Sequence, residues 1–458
     1  MNRTPSALPF ARRLGYGVGD FGFNLFFTTA SLYLLFYYTD VLGLSPATAG
    51  WVFAGALIWD AVFDPVMGYV ANRTRTRWGR YRPYLLFGGL PLAASWALIF
   101  FPVKLEGAAL VLFAASAHIV FRTLYAVVSM PYLALSATMT GDSHERGVLA
   151  SIRMVAATSC GLFAAFSTLK LVEIFGGGSA GFFWTAVVYG VLAAIIFTIV
   201  FASTREVAPA PDEVAPSVAD MIAMLRRNSA FWIVCAAMLA GAFGGTLFSK
   251  TLPYYFKYAV GRPDLISLAL TALTAAVAIS MPVWTAVMKR TSKRIMWLSG
   301  AIFTVVGYTL LWFSASDASA MFLPIAVIGF GAGATYLGFW SMMPDTVEYG
   351  EWTSGVRSEG AVFGFVSLIQ KAALGLAAAL LGEVLSAIGY RANVRQTPET
   401  LEMMRLVMII GAGSLAMVAA IAISFYPIDR RMHARLQNAI LTRKRRLLRQ
   451  TIPIDATN

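Results

Sequence analysis

Charge is scarce in this chain of 458 residues, with Asp, Glu, Lys and Arg together making up 13% of it. An ordinary soluble domain carries about 25%. Water is therefore excluded as the main solvent of the fold. Cysteine is scarcer still: Cys160 and Cys235 are the two present, both within apolar runs, so no disulfide framework is implied. The three histidines, His118, His144 and His433, are scattered singly, and no P-loop, metal-ligand cluster or nucleophile motif occurs. An enzyme is not expected, nor a cofactor or a metal. Also missing is the ten-residue alternation of an outer-membrane barrel.

What the chain has is hydrophobic length. Apolar residues make up 58% of it, and the mean hydropathy is +0.68. Apolar stretches of about 20 residues, enough to cross roughly 30 Å of hydrocarbon, recur with short polar breaks. Backbone groups in lipid must bond internally, so these stretches are expected to be helices. The expected fold is an all-α integral membrane protein with about twelve spans. They lie near residues 14–39, 47–71, 83–102, 107–138, 148–173, 180–203, 229–257, 264–288, 295–314, 319–343, 361–388 and 401–426. The segment 1–13 shows no cleavable leader design and reads as a retained tail.

The excess of 36 basic over 23 acidic residues would suggest nucleic acid in a soluble protein. Here the basic residues fall in particular loops and act as topology signals, so no nucleic-acid partner is expected. Arg3, Arg12, Arg13, the Arg73–Arg82 cluster, Arg226, Arg227, Lys289, Arg290, Lys293, Arg294 and the C-terminal tail share one side. The other side holds chiefly Lys104, Lys257, Arg262, Arg391 and Arg395. The rich side, with both termini, is expected to be cytoplasmic. A proline-rich linker, 204–228, separates a six-helix half (14–203) from a second (229–426), and repeat similarity between their residues is too faint to claim. The 427–458 tail interleaves arginines with leucines. It reads equally as a helix on the membrane surface or as a solvated one.

Ionisable residues inside spans are the candidates for function, because each costs several kcal/mol there. Asp60 and Asp64 are four residues apart, on one helical face. Two like charges that close must share a proton, bind a cation or face a base. Lys371, in the eleventh apolar run, is the candidate base, joining the two halves. Arg122 and Arg153 are either functional or snorkelling at an interface. Pro131 is expected to break the fourth helix locally beside Tyr125 and Ser129. Asn24 is placed to bond a hydroxylated ligand, and Asp20 to pack helices. The aromatics of the first run favour packing over ring stacking on a ligand.

The block Asp64-Pro-Val-Met-Gly-Tyr-Val-Ala-Asn-Arg-Thr-Arg-Thr-Arg-Trp-Gly-Arg-Tyr-Arg-Pro83 resembles a signature of the glycoside-pentoside-hexuronide:cation symporters of the major facilitator superfamily. Trp59-Asp60, Gly15-Tyr-Gly-Val-Gly-Asp20, Tyr38-Thr-Asp-Val-Leu-Gly43 and Asp345-Thr-Val-Glu-Tyr-Gly-Glu351 through Lys371 extend the resemblance over nearly the whole chain. It implies a major facilitator fold of two six-helix halves. It also implies that Asp60 and Asp64 bind the coupling cation, that Lys371 links that site to sugar, and that Arg153 binds substrate. Against the melibiose permease, a member of that family, Ser129 and Asn24 stand in place of aspartates and Ala126 in place of a threonine.

Those departures remove oxygen ligands from a sodium site, so H+ is favoured over Na+ as coupling ion. A more positive pocket hints at a uronide or other acidic glycoside. The expected activity is cation-coupled sugar or glycoside symport by alternating access, in a lipid-embedded monomer. Rivals are a carrier of amphipathic, lipid-like compounds and a non-transporting membrane sensor. A cytoplasmic gate is expected to pair Arg77 and Arg80 with Asp345, Glu348 and Glu351.

Overall fold

A computed structural model describes residues 8–140, 142–206, 218–314 and 317–451. Helices account for nearly all of the described chain, and no strand occurs among these residues. The first span, α1, runs as Phe10–Gly17 and Gly19–Thr29 and continues through two π turns, Ala30–Leu34 and Tyr37–Val41. Then follow α2 (Pro46–Arg73), α3 (Arg82–Ile99), α4 (Gly107–Met139), α5 (Ser143–Ile174) and α6 (Gly178–Ser203). The second half holds α7 (Ser229–Tyr254, extended by the π turn Tyr255–Ala259), α8 (Ile266–Arg290), α9 (Lys293–Ser314), α10 (Phe322–Ser354) and α11 (Glu359–Ala387). It ends with α12, which is Pro398–Leu406, the π turn Val407–Gly411 and Ala412–Ser424.

Ten of these helices are long and apolar enough to cross a membrane. The other two places in the twelve-span layout belong to α1, interrupted at Val18, and α3, which has 18 residues and begins on Arg82. α10 runs to Ser354, well past the expected end at 343. α4 passes through Pro131 without interruption, so the expected local break does not occur. A lost N–H at one position leaves the remaining ladder of a 33-residue helix intact.

The linker contains a short helix, Val218–Arg226, while residues 207–217, which hold its prolines, lie outside the described residues. A helix also forms in the tail, Arg430–Thr451. It docks on the second half through Leu436, which is buried, and His433, which reaches Asp345 and Glu348. The last residues, 452–458, lie outside the described part.

The halves meet where small residues let backbones approach. A Cβ at Gly50 of α2 would lie 2.7 Å from the carbonyl oxygen of Ala378 in α11, and one at Gly375 would lie 3.2 Å from Cα of Ala54. Trp51 Nε1 donates to Glu383 Oε1 across the same seam at 2.7 Å.

At the end of the bundle opposite the termini, α1 and α7 show the repeat that the residues alone concealed. Tyr37-Tyr38-Thr39-Asp40 and Tyr254-Tyr255-Phe256-Lys257 both pass into π turns, and each run closes on a glycine of positive φ, Gly43 or Gly261. The acid of one repeat meets the base of the other: Lys257 Nζ is 2.7 Å from Asp40 Oδ1. Asp40 also accepts from Tyr258 (2.5 Å) and Tyr390 (2.7 Å), and Asn393 Nδ2 donates to its carbonyl oxygen (2.7 Å). One buried carboxylate of the first half is thus held by three side chains of the second.

Candidate functional site

α2 and α11 cross at the centre of the molecule, and there the two acids and the lysine come together. Lys371 Nζ lies 2.8 Å from Asp60 Oδ2 and also bonds Asp64 Oδ2. Asp60 is 1% exposed and Asp64 12%, so Asp64 is the one nearer the cavity's open space. Arg122 of α4, 3% exposed, approaches Asp60 at 3.7 Å. Two carboxylates thus face two bases, and none is left without an opposite charge in low dielectric. Arg122 is not snorkelling. Its Nε bonds His118 Nε2 at 3.3 Å, and His118 Nδ1 meets the Tyr38 hydroxyl at 3.2 Å, a fully buried chain. Asp60 Oδ1, Asp64 Oδ1 and Ser129 Oγ are buried and have no hydrogen-bond partner.

These groups wall one lobe of a central cavity, of about 230 Å³. Every residue expected to touch substrate lines it: Asn24, Tyr125, Ser129 and Arg153. Arg153 is not free, since Nε bonds Asp20 Oδ2 at 2.8 Å and Nη2 bonds Oδ1 at 3.3 Å. Its guanidinium also lies 5.1 Å from the Tyr132 ring centroid. Asp20 therefore does more than pack helices: it is the counter-ion of Arg153. Asn24 spends its amide on the Asp20 carbonyl at 2.8 Å. Most first-helix aromatics, including Phe26, Tyr33, Tyr37 and Tyr38, are in the core, while Phe27 faces the cavity.

A second lobe, of about 360 Å³, shares Phe27, Leu57, Arg122 and Leu374 with the first. It contains a charge the sequence reading missed. Lys250 of α7 is 5% exposed, and its ammonium donates to the carbonyl oxygen of Ser31 at 2.7 Å and lies 4.2 Å from the Phe53 ring centroid. The signal was present, a lysine within the seventh apolar run. The role of Asp40 was missed as well, because its partners lie more than 200 residues away.

The expected gate pairs are not formed in this conformation. Arg77 stacks on Trp78 at 4.1 Å, and the backbone N–H of Arg80 donates to Glu206 at 2.8 Å. The acids pair within their own half: Asp345 with Lys293 (2.8 Å), Glu348 with His433 (3.1 Å) and Glu351 with Arg357 (2.9 Å). The two halves are clamped on the far side, with Asp40 at the centre of the clamp.

Residues 15–430 match the family described as MFS/sugar transport protein. The chain belongs to the glycoside-pentoside-hexuronide symporter family of the major facilitator superfamily. It is 34% identical to the isoprimeverose transporter of Lactiplantibacillus pentosus, over 92% of this chain and 90% of that one. It is 29% identical to the glucuronide carrier protein homolog of Escherichia coli (strain K12), over 97% and 98%. Among solved structures it resembles the partially occluded, inward-open xylose transporter XylE from E. coli, with TM-score 0.65, 12% identity and 92% and 98% coverage. At that identity the likeness concerns the fold alone. This major facilitator is a membrane transporter and not an enzyme, and it is a multi-pass protein of the bacterial inner membrane.

Proposed function

We propose that this transporter couples the downhill entry of protons to the uptake of a glycoside or hexuronide by alternating access, with both termini in the cytoplasm. The observation that carries the reading is the bridge between halves at the cavity wall, where Lys371 of α11 binds both Asp60 and Asp64 of α2. An ammonium held by two carboxylates keeps the halves in register at the centre of the membrane. Protonation of Asp64, the more exposed acid, removes one of the two anchors and lets Lys371 turn toward the cavity and a sugar hydroxyl. Binding of proton and sugar are then linked through one side chain, which is the condition for coupled transport.

A proton fits this site better than sodium. A sodium ion needs several oxygens around it, whereas here Lys371 fills the space between the carboxylates, and Ser129 offers one hydroxyl beside Ala126. Arg153, Tyr125, Asn24 and Ser129 would line the sugar, with Arg153 exchanging part of its bond to Asp20 for substrate oxygens. The Asp40 clamp closes the periplasmic side in this conformation. The Arg77–Arg80 loop and Asp345, Glu348 and Glu351 would approach one another when the cytoplasmic side closes instead.

The test is uptake into proteoliposomes of labelled glucosides, xylosides and glucuronides under separate proton and sodium gradients. Accumulation of at least one of them under a proton gradient supports the reading. No accumulation of any sugar under either gradient would overturn it.

A further inference from the structure

We propose that Lys250 forms a subsite for a carboxylate or sulfonate group on the transported sugar, an inference that rests on the sugar-carrier reading. In the smaller lobe, acids and bases balance: Asp20, Asp60 and Asp64 face Arg122, Arg153 and Lys371. The larger lobe is lined by Arg122 and Lys250 and by no carboxylate. Lys250 is thus the fourth base against three acids, and among the described residues no acid pairs with it.

The amine of Lys250 has donors to spare. The one hydrogen bond recorded for Nζ goes to a backbone carbonyl, Ser31, in the first π turn of α1. An ammonium has three donors, so two remain. Unpaired buried donors cost free energy until an acceptor arrives. A multi-oxygen anion satisfies the remaining donors of Lys250 and brings the opposite charge, whereas a neutral hydroxyl leaves the ammonium uncompensated. Specificity for an anionic sugar then arises from what the site lacks when a neutral one binds.

The inter-half position of Lys250 makes a purely structural strut the competing explanation, and a ratio of affinities separates the two. Binding of methyl β-D-glucuronide, methyl β-D-glucoside and 3-hydroxypropane-1-sulfonate is measured by calorimetry on the full chain in detergent, for wild type, Lys250→Gln and Lys250→Arg. The expected result is a glucuronide-to-glucoside affinity ratio of at least tenfold in wild type. It falls about tenfold or more in Lys250→Gln and is largely kept in Lys250→Arg. If Lys250→Gln weakens both sugars equally, or wild type shows no preference for the anion, the subsite is refuted while sugar transport stands. Binding of the sulfonate alone, lost in Lys250→Gln, supports the anion subsite and sinks the sugar reading. Wild type binding none of the three overturns the proposal.

Discussion

Lys371 Nζ and Asp60 Oδ2 lie 2.8 Å apart although 311 residues separate them in the chain, and Asp60 is 1% exposed. The pair ties α11 to α2 across the cavity, and Asp64 completes it one helical turn away.

Replacing Lys371 with Met leaves two carboxylates on one helical face with only Arg122 near one of them. Removing one partner of a buried pair costs about 3–5 kcal/mol, an upper bound here because the Lys371 side chain is 21% exposed. The single variant should unfold at lower temperature, and adding Asp60→Asn should restore much of that stability without restoring accumulation. Thermal unfolding in detergent and uptake in proteoliposomes check the two halves of the statement. Full accumulation by Lys371→Met would contradict it.

Asp40→Asn should loosen the clamp opposite the termini. The carboxylate's bonds to Lys257, Tyr258 and Tyr390 involve a charged acceptor, each worth about 1.5–3 kcal/mol, and an amide keeps part of this. A loss of about 1–3 kcal/mol shifts the balance of inward- and outward-open states by roughly 5- to 150-fold. Spin labels at Ala47→Cys and Val394→Cys should report a longer, broader distance in this variant. An unchanged distribution would mean the clamp does not hold the conformation.

Gly50→Val should prevent the close seam of α2 and α11. Even a Cβ would sit 2.7 Å from the Ala378 carbonyl oxygen and 2.9 Å from Cα of Ala379, both backbone atoms that cannot move alone. Transport should be lost while the protein still reaches the membrane, because an outward-open state separates this seam. Wild-type uptake by this variant would show that the close approach of α2 and α11 is not required for the cycle.

Disulfide formation between Arg77→Cys and Glu348→Cys should occur only when the cytoplasmic side closes. Neither residue reaches the other half in this conformation. Crosslinking that is equally fast with and without sugar and proton gradient would refute the gate.

The spans and the central triad were legible in the sequence because both are written in strong terms: long apolar runs, and charges that have no place in them. Asp60 and Asp64 announce a shared face by their spacing, and Lys371 announces itself by its apolar flanks. Lys250 carries the same signal and was passed over in a run already assigned to span the membrane. Arg153 was legible as a charge, but its engagement with Asp20 was not, since that pair joins α1 to α5 through tertiary geometry. Asp40 lay at the end of an apolar run, where acids are common at an interface. Its importance comes from Lys257, Tyr258 and Tyr390, which only the folding of one half onto the other brings to it. The likeness of α1 and α7 was hidden for a related reason: it resides in a π turn, Tyr37–Val41 or Tyr255–Ala259, and a following glycine, and the charges are one position out of register, Asp40 matching Tyr258 and Thr39 matching Lys257.

Proton coupling through Asp64 is the central claim, and internal pH measures it most directly. Proteoliposomes loaded with a pH-sensitive dye are given the glycoside found to be carried, for wild type and for Asp64→Asn. The account predicts sugar-dependent acidification with wild type, and none with Asp64→Asn, which should still exchange sugar for sugar. Sugar-dependent acidification that persists in Asp64→Asn, or sugar uptake driven by sodium with no proton movement in wild type, would contradict it.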